Sequence, residues 1–122
     1  MKWVDPLFDP ANKYDILVIG GGAGGLVTAF GAVGTGAKVG MIERSLMGGD
    51  CLNTGCVPSK AFIKAASVAH NARTAADYGI IIGEVKVDFK AVMERMRRIR
   101  ADIAEADSCK RVSTAGIDMF LG

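Results

Sequence analysis

Residues 16 to 37 run for twenty-two positions without a charge, yet eight of those positions are glycine. This combination limits the possible folds more than any other feature of the chain. An uncharged stretch of that length could span a bilayer. A lipid-facing helix would be weakened by so many glycines, each costing roughly 1 kcal/mol relative to alanine. The glycines are also clustered, at 20, 21, 22, 24 and 25 and again at 31, 34 and 36. They follow the run Tyr14 to Ile19 and are interleaved with the small residues of Ala23 to Gly36. The pattern predicts a buried parallel strand, a tight turn and a helix able to pack closely on a sheet, not a membrane span. Lys38 to Glu43 predicts a second strand. Together these make a compact βαβ unit with a right-handed crossover.

The rest of the chain reads as helix-rich. Residues 1–13 hold Pro6 and Pro10 without periodicity and are expected to form an N-terminal tail, docked by Trp3 and Phe8. Residues 44–54 are expected as loop. A helix is expected from Gly55–Pro58 to about Ala76, and it tolerates Pro58 in a first turn that needs no backbone donor there. Ile80-Ile81-Ile82 is a short apolar piece between Gly79 and Gly83. Asp88 is expected to cap a second long helix reaching about Ser108. Its apolar stripe is Phe89, Val92, Met96, Ile99 and Ile103. Gly116 to Leu121 predicts a final strand. The chain shows no internal repeat and no low-complexity linker.

Composition removes several function classes. The 122 residues make one ordinary domain, half apolar and 23% charged, as in a globular protein. A net charge of +2 is too small to suggest nucleic acid or an anionic membrane. Arg95, Arg97, Arg98 and Arg100 interleave with Glu94, Asp102, Glu105 and Asp107, so a solvated helix face is expected there. Three cysteines are too few and too uneven for a secreted disulfide scaffold. No leader peptide is expected, and the reading places the protein in a reducing cytoplasm. His70 is expected as a surface or packing residue, Cys109 as a lone structural thiol, and Met93 and Met96 as helix core. No metal site is expected.

Gly20-x-Gly22-x-x-Gly25 stands where a phosphate cradle should, after a strand and before a helix. The first glycine allows a sharp turn, the second leaves room for a pyrophosphate, and the third lets helix and strand pack closely. The helix N-terminus offers unpaired N–H groups to the phosphates. Glu43 ends the second strand, where a carboxylate suits ribose hydroxyls and repels a 2′-phosphate. The cradle therefore favours the adenosine half of FAD or NAD over NADP. Strand, glycines, helix, strand and acid in that order make a Rossmann-like, dinucleotide-binding unit.

Cys51 and Cys56 are five positions apart, close enough to close into a disulfide. Asn53 and Gly55 favour the turns that bring the sulfurs together. Cys56 stands at the start of the expected helix, where the dipole favours a thiolate. Lys60 is one turn further on the same face. Cys51, on the loop, is expected to be the more exposed thiol that exchanges with substrate, and Cys56 to face the cofactor. A zinc half-site and two inert buried thiols are the competing readings of the pair.

At these residues the chain resembles the class I pyridine nucleotide–disulfide oxidoreductases, a family that includes dihydrolipoamide dehydrogenase and mercuric reductase. Gly48 to Lys60 is similar to the pattern G-G-T-C-x-N-x-G-C-x-P-[SK]-K, departing at Asp50, where the family has threonine. The resemblance implies FAD, with its pyrophosphate at Gly20, Gly22, Ala23 and Gly25, its ribose at Glu43, and Gly49, Asp50, Cys51 and Lys60 beside it. It implies Cys56 as the charge-transfer thiol, Cys51 as the interchange thiol and Lys60 as a neighbour of the flavin. It further implies that NAD(P)H reduces FAD, that FAD reduces the pair, and that the pair reduces a small disulfide or Hg(II).

Pro58-Ser59-Lys60 is shared by the lipoamide and mercuric branches. Family chains are several times longer and usually homodimeric. Residues 14–122 therefore resemble the N-terminal part of an incomplete FAD domain, in which two long helices follow the parallel βαβ unit. A chain of this extent is expected to hold FAD weakly or not at all and not to turn over alone. The competing class is a non-catalytic dinucleotide-binding or structural module.

Overall fold

The computed structural model describes residues 13–122, so the expectations for Trp3, Phe8 and the two tail prolines lie outside the described residues. The chain divides into two units, each described by itself. Among the described residues the first takes 13–49 and 107–122, and the second is Asp50–Ala106.

The first unit is a three-stranded parallel sheet with the order β1-β2-β3. Its strands are β1 (Ile16–Ile19), β2 (Val39–Glu43) and β3 (Ile117–Leu121). Ile16 pairs with Val39 and Val39 with Ile117, and the register continues without a slip to Ile19, Ile42 and Phe120. Helix α1 (Ala23–Gly34) links β1 to β2, and the uncharged run is thus strand, turn and small-residue helix as its glycines demand. The helix ends at Thr35, whose N–H returns to Ala32.

The core consists of Val18, Leu26, Ala29, Val39, Met41, Val112 and Ile117, with Phe30, Val33 and Met119 against it. Val39 and Met41 are wholly buried because β2 has a neighbour on each side. Val112 comes from α5 (Cys109–Thr114), a short helix absent from the expected elements. Ser108 caps it by accepting the Arg111 N–H at 3.3 Å. The second long helix therefore stops before Ser108.

β1 corrects one expectation. Read as a buried strand, it buries only Val18, while Leu17 and Ile19 are 52% and 82% exposed. The strand stands at the edge of the sheet, and alternate residues of a strand face opposite sides. Val18 falls on the side covered by α1. On the other side Tyr14 meets Phe120 edge-to-face at 6.0 Å, and its hydroxyl donates to Asp118 at 2.9 Å.

The second unit holds a short helix α2 (Gly49–Asn53), whose first residue still belongs to the first unit, followed by α3 (Cys56–Arg73) and α4 (Phe89–Ala104). A 3₁₀ turn, Ala75–Tyr78, follows α3. Asp88 caps α4 as expected, accepting the Ala91 N–H at 3.0 Å. Phe62 of α3 meets Phe89 of α4 edge-to-face at 5.9 Å. The α4 stripe is present, yet no α4 residue is fully buried. Ile80, Ile81 and Ile82 are exposed and form no strand. Among the described residues no helix is long and apolar enough to cross a membrane.

Candidate functional site

The cradle is built entirely within the first unit. Gly20 turns the chain off β1 at φ +102°, and its N–H donates to the Ile42 carbonyl at 2.7 Å. A Cβ on Gly25 would overlap the carbonyl oxygen of Gly20, so only glycine lets α1 start this close to the strand that precedes it. Gly22 is the N-cap of α1, with no side chain capping it and no acid in the first turn. The first N–H groups of the helix thus have no intrahelical acceptor and no acid in their own turn, which is the setting an anionic phosphate needs. A dinucleotide pyrophosphate fits this donor set.

Two further contacts complete the cradle. The Gly48 N–H donates to the Gly21 carbonyl at 2.8 Å, and Gly22 and Gly48 form an isolated parallel bridge. Gly49 lies at φ +57°, and a Cβ there would stand 2.8 Å from the Gly22 Cα. The glycine pair that opens the cysteine motif is therefore docked on the backbone of the cradle. Nothing in local sequence announces this docking, because it joins residues more than twenty positions apart.

Glu43 occupies the end of β2 as expected, but it is only 9% exposed. Its Oε2 accepts the Gly21 N–H at 2.6 Å and its Oε1 the Ser45 N–H at 2.7 Å. Those hydrogen bonds, Gly21 first and Ser45 second, hold its carboxyl below the ordinary carboxylate range against the opposing effect of burial. In this structure the residue braces the cradle turn, and a further backbone hydrogen bond from Arg44 adds to its hold.

The cysteine turn lies in the second unit. The stretch expected as loop contains α2, and this places Cys51 on a helical turn anchored by the buried Leu52. The Asp50 carbonyl then accepts both the Thr54 N–H at 3.0 Å and the Gly55 N–H at 2.6 Å. A Cβ on Gly55 would come within 2.9 Å of that same oxygen. The turn delivers Cys56 to the first position of α3, with Gly55 as N-cap. Asp50 itself is exposed.

Both cysteines are free thiols, Cys51 half-buried and Cys56 exposed. This reverses the expected order of exposure. Helical side chains lean toward the N-terminus, and no earlier turn of α3 stands there to cover Cys56. The Cys51 thiol is raised above its ordinary range, first by its hydrogen bond to the Cys56 side chain and then by desolvation. The Cys56 backbone N–H and the nearby Lys60 charge oppose that rise. The net direction for Cys51 is upward, so its thiol keeps its proton longer than an ordinary thiol does.

Lys60 and His70 are exposed on α3, and Cys109 stands half-buried at the start of α5. Among the described residues no three His, Cys, Asp or Glu side chains gather as metal ligands. One contact escaped the sequence reading. The Arg100 guanidinium donates to the Asn53 carbonyl at 3.3 Å, although Arg100 was expected on a solvated face. Its spacing four positions after Met96 would have placed it beside the apolar stripe.

The family model described as pyridine nucleotide-disulphide oxidoreductase matches residues 14–118, which takes in both the cradle and the cysteine turn. The chain belongs to that family. Relatives within the family carry two names. A dihydrolipoyl dehydrogenase of Rhizobium etli is 45% identical over 92 residues, 75% of this chain and 19% of the relative. A dihydrolipoyl dehydrogenase of Bacillus subtilis is 35% identical over 112 residues, 92% of this chain and 23% of the relative. A mercuric reductase of Lysinibacillus sphaericus is 32% identical over 111 residues, 91% of this chain and 20% of the relative. The chain thus spans about a fifth of the length of these curated oxidoreductases.

Proposed function

We propose that this chain is the dinucleotide-cradling and dithiol-bearing portion of a flavin-dependent oxidoreductase. In the complete reaction, electrons pass from NAD(P)H by way of FAD to the Cys51–Cys56 pair, and from the pair to a small disulfide or to Hg(II). The observation that carries the reading is the turn fixed by the Asp50 carbonyl, which sets a half-buried Cys51 just before an exposed Cys56 at the first position of α3. Two inert buried thiols would need neither the exposure of Cys56 nor the glycine that allows the turn.

The residues divide the work. Backbone N–H groups at Gly22, Ala23 and Gly25 would hold the FAD pyrophosphate, and Glu43 would hold the cradle turn while accepting from a ribose hydroxyl. Gly49, Asp50, Cys51 and Lys60 would lie along the cofactor. FAD, when bound, supplies a two-electron relay between a nicotinamide and a sulfur. Cys51 would serve as interchange thiol, and Cys56 as the sulfur beside the cofactor. Lys60 would offset negative charge as the dithiol forms.

Because the matched stretch is only about a fifth of each relative, turnover is assigned to this chain together with domains like theirs, acting as a cytoplasmic homodimer. Alone, the chain is expected to bind FAD weakly and to show no turnover. The test uses protein extended to the relatives' length, with NADH and NADPH as donors and lipoamide or Hg(II) as acceptors. Replacing Cys56 by Ser abolishes acceptor reduction if the reading holds. Unchanged turnover would assign the chain to the non-catalytic class instead.

A further inference from the structure

We infer that Arg100 is a positioning residue for the Cys51–Cys56 pair, fixing from outside the turn that joins the two sulfurs. The inference rests on the reading of that pair as a reversible dithiol. Arg100 stands on α4, 47 positions beyond Asn53, and its Nη1 donates to the Asn53 carbonyl at 3.3 Å. Asn53 is the last residue of α2, the turn that carries Cys51. Carbonyls at a helix C-terminus have no donor within the helix. A guanidinium there supplies the donor and also meets the negative end of the peptide dipoles.

From the inside, the Asp50 carbonyl holds the Thr54 and Gly55 N–H groups. The stretch from Cys51 to Cys56 is therefore gripped at two carbonyls by two different partners. Arg100 is half-buried, whereas its neighbours Arg97 and Arg98 are exposed. The helix stripe thus selects one arginine of the four for this contact.

The consequence is chemical. A disulfide needs the two Cα atoms roughly 4.4 to 6.8 Å apart, with the Cβ atoms turned toward each other. Any freedom of the turn in the dithiol state is lost when the S–S bond forms. A turn already held by Arg100 loses less, so its disulfide closes more readily. The exchange balances with oxidised glutathione. Cys51 and Cys56 lose two protons and two electrons as their S–S bond forms, and the glutathione disulfide takes both up to become two thiols.

The experiment equilibrates the purified chain with a series of glutathione ratios, traps free thiols by alkylation and counts them by mass. Wild type closes the pair with a measurable equilibrium constant. Arg100→Met, which keeps the aliphatic stem, lowers that constant about fivefold, the size expected for one lost hydrogen bond. Arg100→Lys, with a donor of different reach, falls about twofold, between the two. Arg98→Met leaves the constant unchanged.

Equal constants for wild type and Arg100→Met, with helix content preserved, would overturn the role of Arg100. So would an equal drop in Arg98→Met, which would make the effect one of net charge alone. If Arg100→Met loses helix, Arg100→Lys decides, and identity with wild type refutes the inference. If wild type never closes the pair at any ratio, the dithiol reading itself fails and the role of Arg100 falls with it.

Discussion

The Cys51 thiol ionises less readily than an ordinary thiol, and the shift can be read in solution. The Cys51 thiol is raised chiefly because it donates to Cys56. Its protonated form therefore persists at pH values where an ordinary thiol has begun to ionise. Iodoacetamide should label Cys51 slowly near neutrality, with its rate rising only above the usual thiol range. In Cys56→Ala the largest cause of the shift is gone, and the profile should move to lower pH. Superimposable profiles would show that the hydrogen bond does not form in solution. Glu43 titrates in the opposite sense. Its folded carboxyl lies below the ordinary value because it accepts from Gly21 and Ser45. Its contribution to stability is thus present above the unfolded pKa and is lost as pH falls through the folded one. Melting temperature followed from pH 7 to pH 3 should fall less steeply in Glu43→Gln than in wild type.

At the scale of elements, the start of α1 separates glycines that the fold needs from those a ligand needs. A methyl group on Gly25 collides with the Gly20 carbonyl, whereas one on Gly22 would meet the Gly49 Cα at 3.7 Å, an ordinary contact. Gly25→Ala should therefore cost about 3 kcal/mol or more, the upper range for overpacking, and be seen as a large fall in denaturation midpoint. Gly22→Ala should fold almost normally but, if the pyrophosphate lies where proposed, lose dinucleotide affinity. Flavin fluorescence titration alongside denaturation distinguishes the two. Equal loss of stability in both variants would sink this assignment. The short helix α2 is the element whose existence matters most for the pair, since it places Cys51 and offers the Asn53 carbonyl to Arg100.

At the scale of the molecule, the first unit packs its own helices α1 and α5 on one side of the parallel sheet. Leu17, Ile19 and Phe120 remain exposed on the other, and among the described residues β1 pairs with β2 alone. An open strand edge beside apolar side chains favours association with other chains. Sedimentation of the wild-type chain should thus depend on concentration, and Ile19→Lys should weaken that dependence. Ile19 is 82% exposed, so the same change should alter folding stability by no more than about 0.5 kcal/mol. Concentration-independent sedimentation of wild type would show that this surface is not adhesive.

Sequence alone determined the βαβ order, the Asp88 cap, the final strand and the two motifs, because each is written in spacing over a few neighbouring residues. Glycines at 20, 22 and 25 and cysteines at 51 and 56 carry their meaning locally. Tertiary structure decided what depends on residues distant in the chain. It put Gly49 against Gly22, turned the Glu43 carboxylate onto Gly21, brought Arg100 to Asn53 and left every β1 residue but Val18 exposed. It also decided which cysteine is covered, since the burial of a side chain depends on which turns surround it. Apart from the spacing that sets Arg100 beside the α4 stripe, these contacts have no local signal, because hydrogen-bond partners and close backbone approaches are selected by packing, and packing joins residues whose separation in sequence sets no pattern.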